Sequence, residues 1–249
     1  MNEAAARWRR IAAGVLAGIA ATLGVSCSSP AAAPIAIHVD HVVALLDTPL
    51  SITVSGLPAD AQVTVDASAV DCDGVRYLSQ ATFTADSNGR LDLDTAAPTG
   101  GSYTAAGAMG LIENMRPTTG NQSEFVFCTP QSGFAIKLSA VAAGRAAAHV
   151  TVRRLWLLPG VTERDLRPST DGFYGEFFSP APGVGVRPGV LELGGSEGGL
   201  TVADEAAALA SHGYPTLALA YFGEPGIPAT EQDIPLEYFA KALRWLAAY

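Results

Sequence analysis

The sequence predicts two kinds of sheet in succession, an antiparallel β-sandwich and then a parallel α/β unit. Three observations carry that expectation. Between residues 35 and 158, short runs rich in Val, Ile, Thr and aromatics alternate apolar with polar and are separated by turn signals. That is the texture of strands, with no helical period between them. From residue 188 to 222 an apolar run, a glycine-rich turn, an amphipathic segment and a second apolar run follow one another. That order is the strand–turn–helix–strand unit of a parallel sheet. Between the two lies a polar connector with Pro, Gly and several charges, placing a linker at 159–170.

In chain order, residues 1–27 have the layout of an export signal. Arg7, Arg9 and Arg10 precede an apolar run over residues 11–25, short for a spanning helix and right for a signal core. The run closes on Leu23-Gly24-Val25-Ser26-Cys27. This resembles a bacterial lipoprotein signal, whose cysteine becomes the lipidated first residue, although glycine rather than leucine stands three residues before Cys27. The expectation is an exported protein, secreted or held at the cell envelope through a lipid on Cys27. An uncleaved N-terminal anchor is the plainer alternative. A Ser/Pro/Ala tether fills residues 28–34.

The sandwich strands are expected at 35–39, 50–54, 62–67, 77–84, 90–93, 124–128, 134–140 and 149–157. Turns separate them at Gly56-Leu57-Pro58, Asp71-Cys72-Asp73-Gly74, Asp86-Ser87-Asn88-Gly89 and Thr99-Gly100-Gly101. If Cys27 is lipidated, Cys72 and Cys128 remain as a pair, and an oxidising compartment would let them form one disulfide. Sequence position alone leaves two buried thiols equally open.

The second domain is expected over 171–249. A strand at 173–178 leads through a Pro/Gly-rich loop to the apolar run ending at Leu193 and the turn Gly194-Gly195-Ser196-Glu197-Gly198-Gly199. Thr201, with Asp204 three residues on, reads as the cap of the next helix. Val202, Ala206, Leu209 and Ala210 share its apolar face, and Gly213 stops it. A last helix over 235–248 carries Leu236, Phe239, Leu243 and Leu246 on one face, with Glu237 and Lys241 on the other.

Composition narrows the function classes. The chain has 249 residues, 49% of them hydrophobic and 16% charged, enough for packed cores and against wholesale disorder. A net charge of −9 without a basic stripe after residue 10 argues against nucleic acid, whose phosphates require a cationic surface. No Cys/His spacing suggests a metal, and no cofactor is expected.

The chemistry gathers at the glycine turn, which spells G-x-S-x-G, the pattern of a hydrolase nucleophile elbow. A nucleophilic Ser196 needs a histidine base backed by an acid. The only histidine downstream is His212, at the end of the helix the turn begins. It lies roughly 15 Å or more away at ~1.5 Å per residue, far beyond hydrogen-bond reach. His212 is better suited to partner the helix C-terminus. Glu192, Glu197 and Glu224, near the turn in sequence, read as solvated carboxylates or caps, and Tyr221 and Phe222 as a sheet end and pocket wall.

A resemblance gives the turn another role. The runs PGVLELGGSEGGL (188–200), LASHGYPTLALAYF (209–222) and IPLEYF (234–239) resemble the opening of the catalytic domain of the acyl-CoA thioesterase/bile acid-CoA:amino acid N-acyltransferase family. LSITVSGLP (50–58), RYLSQATFTAD (76–86), GRLDL (89–93), GGSY (100–103) and MGL with Met115 and Pro117 fall in the order of that family's N-terminal domain. The resemblance implies an immunoglobulin-like β-sandwich followed by a partial α/β-hydrolase domain that acts on acyl thioesters such as acyl-CoA. It implies that Gly194, Gly195, Ser196 and Glu197 form an oxyanion loop, while the nucleophile, acid and histidine belong to sequence beyond residue 249. The chain is then expected to be C-terminally truncated and inactive alone, with the apolar run at 190 left with an unpaired edge. Acyl-CoA is intracellular, so export would imply another ester or thioester as substrate. The rival from a different class is a non-enzymatic exported lipoprotein with the sandwich as a binding module.

Overall fold

The computed structural model describes residues 33–120, 127–130, 133–185 and 187–249. The segment read as an export signal, with Cys27, and most of the tether lie outside them. Among the described residues no helix is long and apolar enough to cross a membrane.

The N-terminal lobe contains β1 (Ala36–Val39), β2 (Val43–Leu45), β3 (Ile52–Ser55), β4 (Gln62–Val70), β5 (Arg76–Thr84), β6 (Leu91–Asp92) and β7 (Gly100–Gly101). After these come a one-turn helix α1 (Gly110–Glu113), β8 (Arg116–Pro117), β9 (Phe134–Ala142) and β10 (Ala148–Leu155). They build a small sheet, β1-β3-β6, and a large one in the order β2-β10-β9-β4-β5-β7, with β8 also on β5. Strict alternation on β5 and β9 sends one side of each strand inward. Ile52, Val54 and Leu91 of the small sheet share a core with Val63, Val65, Phe83, Ile136, Leu138 and Val152 of the large one.

Several features of this lobe differ from the sequence expectation. β2 lies in a stretch not read as a strand and pairs parallel with β10, where every pairing was expected to be antiparallel. Three residues carry no readable period. The strand expected at 124–128 falls partly outside the described residues, and Phe127 and Cys128 at its end belong to no strand. Cys72 and Cys128 are joined by a disulfide, with Cα atoms 5.3 Å apart, and the Cys72 N–H donates to the Cys128 carbonyl at 2.8 Å.

The C-terminal lobe is a four-stranded mixed sheet flanked by two helices. Its elements are β11 (Thr162–Leu166), β12 (Tyr174–Ser179), β13 (Val190–Leu193), α2 (Ala203–Ser211), β14 (Thr216–Ala220) and α3 (Leu236–Ala247). The strand order is β11-β12-β14-β13, with β13 and β14 parallel and the other pairs antiparallel. β11 lies inside the segment read as a polar connector. It is an edge strand exposed at four of its five residues, so its polar sequence is what its place in the sheet demands. β14 is buried throughout, because helices cover both of its faces. On one face α2 lays Ala206, Ala207 and Ala210 against Phe178 and Ala218; methyl side chains allow a close approach. On the other, Ala242 and Leu246 of α3 pack with Phe173, Phe177, Leu217 and Leu219.

The helix details also shift. α2 starts at Ala203 and is capped by Val202, with no side-chain hydrogen bond at the cap, so Thr201 does not cap it. On α3, Leu236 and Leu243 are 79% and 51% exposed. The inward face is formed by Tyr238, Phe239, Ala242, Trp245 and Leu246. The Tyr238 hydroxyl donates to the Ala220 carbonyl at 2.6 Å and accepts from the Tyr174 N–H at 2.8 Å. One phenol thereby fixes α3 to both β12 and β14. Between the lobes, Ser211 Oγ accepts from the Leu158 N–H at 2.9 Å, and His212 Nε2 meets Asp47 Oδ2 at 2.7 Å.

Candidate functional site: a glycine bend at the end of the third C-terminal strand

The third strand of the C-terminal sheet, β13, ends at Leu193, and the bend Gly194–Gly199 carries the chain toward α2. The Gly195 carbonyl accepts from the Gly198 N–H at 3.4 Å, and the Gly199 N–H reaches the Phe222 carbonyl at 2.9 Å. The bend is thus tied to the segment leaving β14. Gly198 and Gly199 have φ of +72° and +71°, the left-handed region that side chains enter only at a cost. Space forbids side chains as well. A Cβ on Gly198 would lie 2.7 Å from the Phe222 ring, and one on Gly199 would lie 2.9 Å from a Glu224 carboxylate oxygen.

Side chains around the bend hold it from outside. The Tyr221 hydroxyl donates to the Gly194 carbonyl at 3.1 Å and also lies 3.4 Å from Glu231 Oε1. Burial and then the Glu231 carboxylate push the Tyr221 phenol above its ordinary pKa, so it stays a donor at neutral pH. Thr201 lies against the bend, its Oγ1 2.5 Å from where a Gly194 Cβ would stand. These supports, Tyr221, Thr201 and Glu224, were not legible as a group. Tyr221 alone carried a hint, as a hydroxyl placed where an apolar strand ends.

What the bend presents is backbone. The N–H groups of Gly195, Ser196 and Glu197 donate to no acceptor among the described residues, and all three residues are exposed. Consecutive fixed amides of this kind offer partial positive charge to an anion or a developing oxyanion. Ser196 makes no hydrogen bond to a histidine among the described residues. His212 is engaged by Asp47, His38 lies 3.2 Å from Ser55 Oγ, and His41 lies 3.8 Å from Asp40.

The acidic residues near the turn do not behave alike. Glu197 is exposed, whereas Glu192 is half-buried and its Oε2 has no partner among the described residues. Burial and then the nearby Glu205 charge raise the Glu192 pKa. The expectation of a solvated carboxylate fails at Glu192, because β13 turns this side chain toward α2. Among the described residues one group has metal-like spacing, Cys72, Asp73 and Cys128, but its two sulfurs are bonded to each other.

Fold and bend together define a class: a two-lobed chain whose α/β lobe offers backbone donors after a parallel strand. Residues 47–168 match the family described as Acyl-CoA thioester hydrolase/BAAT N-terminal region, and the chain belongs to the acyl-CoA thioesterase/bile acid-CoA:amino acid N-acyltransferase family. It is 33% identical over 215 residues to acyl-coenzyme A amino acid N-acyltransferase 1 of Mus musculus, covering 83% of this chain and 50% of that protein. It is 34% identical over 208 residues to acyl-coenzyme A thioesterase 1 of Rattus norvegicus, covering 82% and 48%. With human bile acid-CoA:amino acid N-acyltransferase the identity is 33% over 214 residues, covering 82% and 50%. The chain spans about half the length of these curated relatives.

Proposed function

We propose that this chain supplies the β lobe and the oxyanion loop of an acyl-thioester hydrolase or acyltransferase. In this proposal residues 35–158 are an immunoglobulin-like sandwich and 171–249 the first part of an α/β-hydrolase domain. The observation that carries it is the row of undonated amides at Gly195, Ser196 and Glu197, directly after the third strand of the sheet. Hydrolases of that fold keep there the loop amide that works with the nucleophile elbow. The kinship with acyl-coenzyme A thioesterases and N-acyltransferases supports an acyl thioester as the substrate class.

The chemistry follows from that placement. A nucleophile forms a bond to the thioester carbonyl carbon while the carbonyl π pair moves onto oxygen. The fixed amides take up that negative charge, and collapse of the intermediate expels the thiolate. Water or an amine then receives the acyl group. Ser196 contributes its N–H here, not its hydroxyl. In this reading the nucleophile and its histidine belong to the part of the relatives' length that this chain does not span.

A paired substitution separates the two roles of Ser196. A chimera joining residues 33–249 to the remaining half of rat acyl-coenzyme A thioesterase 1 is assayed with palmitoyl-CoA. Ser196→Ala, which keeps the amide, is expected to retain the rate. Ser196→Pro, which removes the amide, is expected to lose roughly 100-fold or more in kcat. Palmitoyl-CoA turnover by the unfused chain that disappears in Ser196→Ala would overturn the assignment.

A further inference from the structure

The N-terminal lobe holds a cavity that the thioester chemistry does not use. It lies where β5, α1 and the segment around Phe127 meet, has a volume of about 280 Å³, and is walled by Tyr77, Ile112, Met115, Phe127 and Phe134. Three of these walls are aromatic rings packed on one another. Tyr77 meets Phe127 edge-on with centroids 5.0 Å apart, and Phe127 meets Phe134 at 4.8 Å. The Cys72–Cys128 disulfide anchors the residue next to Phe127, so that wall is held covalently. The volume is at the small end of those that enclose organic ligands.

Exposed Glu113 and Arg116 complete the lining, and one buried polar group joins them. Tyr77 is 4% exposed, and its hydroxyl has no hydrogen-bond partner among the described residues. A buried hydroxyl without a partner is uncommon and costly. Here it stands at the wall of a cavity large enough to admit one.

We propose that this cavity binds a small, uncharged, apolar molecule bearing one carbonyl-type oxygen, seated between Phe127, Phe134 and Ile112, with that oxygen accepting a hydrogen bond from Tyr77. The charges around the cavity favour an uncharged ligand. Burial first, then the charges of Asp71 and Asp73, raise the Tyr77 pKa. That keeps the phenol a donor, and the same two carboxylates repel an anion. Arg116, exposed at the mouth, does not offset them freely, because its Nη1 is turned back onto the Met115 carbonyl at 3.0 Å. Exposed Glu113 beside it adds a further negative charge. A flat aryl ketone fits the ring-lined walls and supplies the acceptor. The site is independent of the glycine bend, so its fate does not decide that of the proposed function.

The test uses the whole chain and the fluorescent ketone 6-acetyl-2-dimethylaminonaphthalene. Its emission is expected to shift to the blue with saturable, one-to-one binding. Met115→Trp, which fills the cavity, is expected to abolish binding, with circular dichroism checking the fold. Tyr77→Phe keeps the ring and removes the donor, and is expected to weaken binding about three- to tenfold. In competition, 2-ethylnaphthalene, which lacks the acceptor, is expected to bind wild type and Tyr77→Phe equally. Absence of saturable binding, binding that survives Met115→Trp in a folded protein, or an unchanged affinity in Tyr77→Phe would each overturn the proposal. If Met115→Trp fails to fold, the Tyr77→Phe and ethylnaphthalene comparison decides alone.

Discussion

Glu176 shows how much a single carboxyl can depend on neighbours far away in sequence. It stands in register with Asp165 on one side and Ala218 on the other. Burial first, then a hydrogen bond and the charge of Glu163, push its pKa up to about 8, with Arg167 opposing. Because the folded value lies above the unfolded one, the folded state holds a proton that the unfolded chain releases between about pH 4.5 and 8. The associated stability is fully present below pH 4.5 and is lost as pH rises toward 8. The carboxyl keeps part of its surface in water, so the effect is discounted to about 1–2 kcal/mol. Melting curves across that window are expected to fall for wild type and to run flatter for Glu176→Gln, which should also be the more stable protein at pH 8. Identical pH profiles for the two would refute this. None of it was legible in the sequence, nor was the half-buried state of Glu192. Both depend on which strand returns beside which, and residue identity alone does not carry that. The glycine bend was legible, because two left-handed positions and a close backbone approach leave few residue types to choose from.

At the scale of elements, legibility followed length and burial. β4, β5, β9 and β10 announced themselves because each has eight or nine residues with one side in the core. β2, β7 and β8 did not, since two or three residues contain too little alternation to read. β11 was hidden for another reason: an edge strand with charged residues has the composition of a loop. α3 was correctly read as a helix but with its apolar face turned too far. Leucine at Leu236 and Leu243 fits the helical period, yet the inward residues are centred on Ala242 and Leu246. The disulfide gives the element-scale prediction. It closes a loop of 56 residues and ties the end of β4 to the segment before β9, limiting the unfolded chain. Reduction, or Cys72→Ser, is expected to lower stability by about 2–4 kcal/mol, seen as a lower urea midpoint. Cys72→Ser and Cys128→Ser together should cost no more than either alone. Additive losses would mean that the two sulfurs act separately.

For the whole molecule, the informative feature is an asymmetry of coverage. β13 is paired only with β14 among the described strands. Leu193 on β13 is 46% exposed, and Leu236 and Leu243 on α3 add exposed apolar surface. An open strand edge with neighbouring leucines is a template for association. The protein is expected to show concentration-dependent self-association in sedimentation velocity, and Leu193→Lys with Leu243→Lys should shift it toward monomer. A wild-type sedimentation coefficient that does not change with concentration would exclude this.

The same ladder has a consequence for how the lobe breathes. β14 lies under helices on both faces and is bonded on both sides, while its parallel neighbour β13 is paired along one side only among the described residues. Amide protons at Leu217, Ala218 and Leu219 can then trade with solvent only when the entire lobe opens, whereas those on the free side of β13 need only a local fluctuation. Two strands sharing one set of hydrogen bonds would keep time on widely separated clocks. Any chain that settled against the open flank would be read first as a slowing of the faster one.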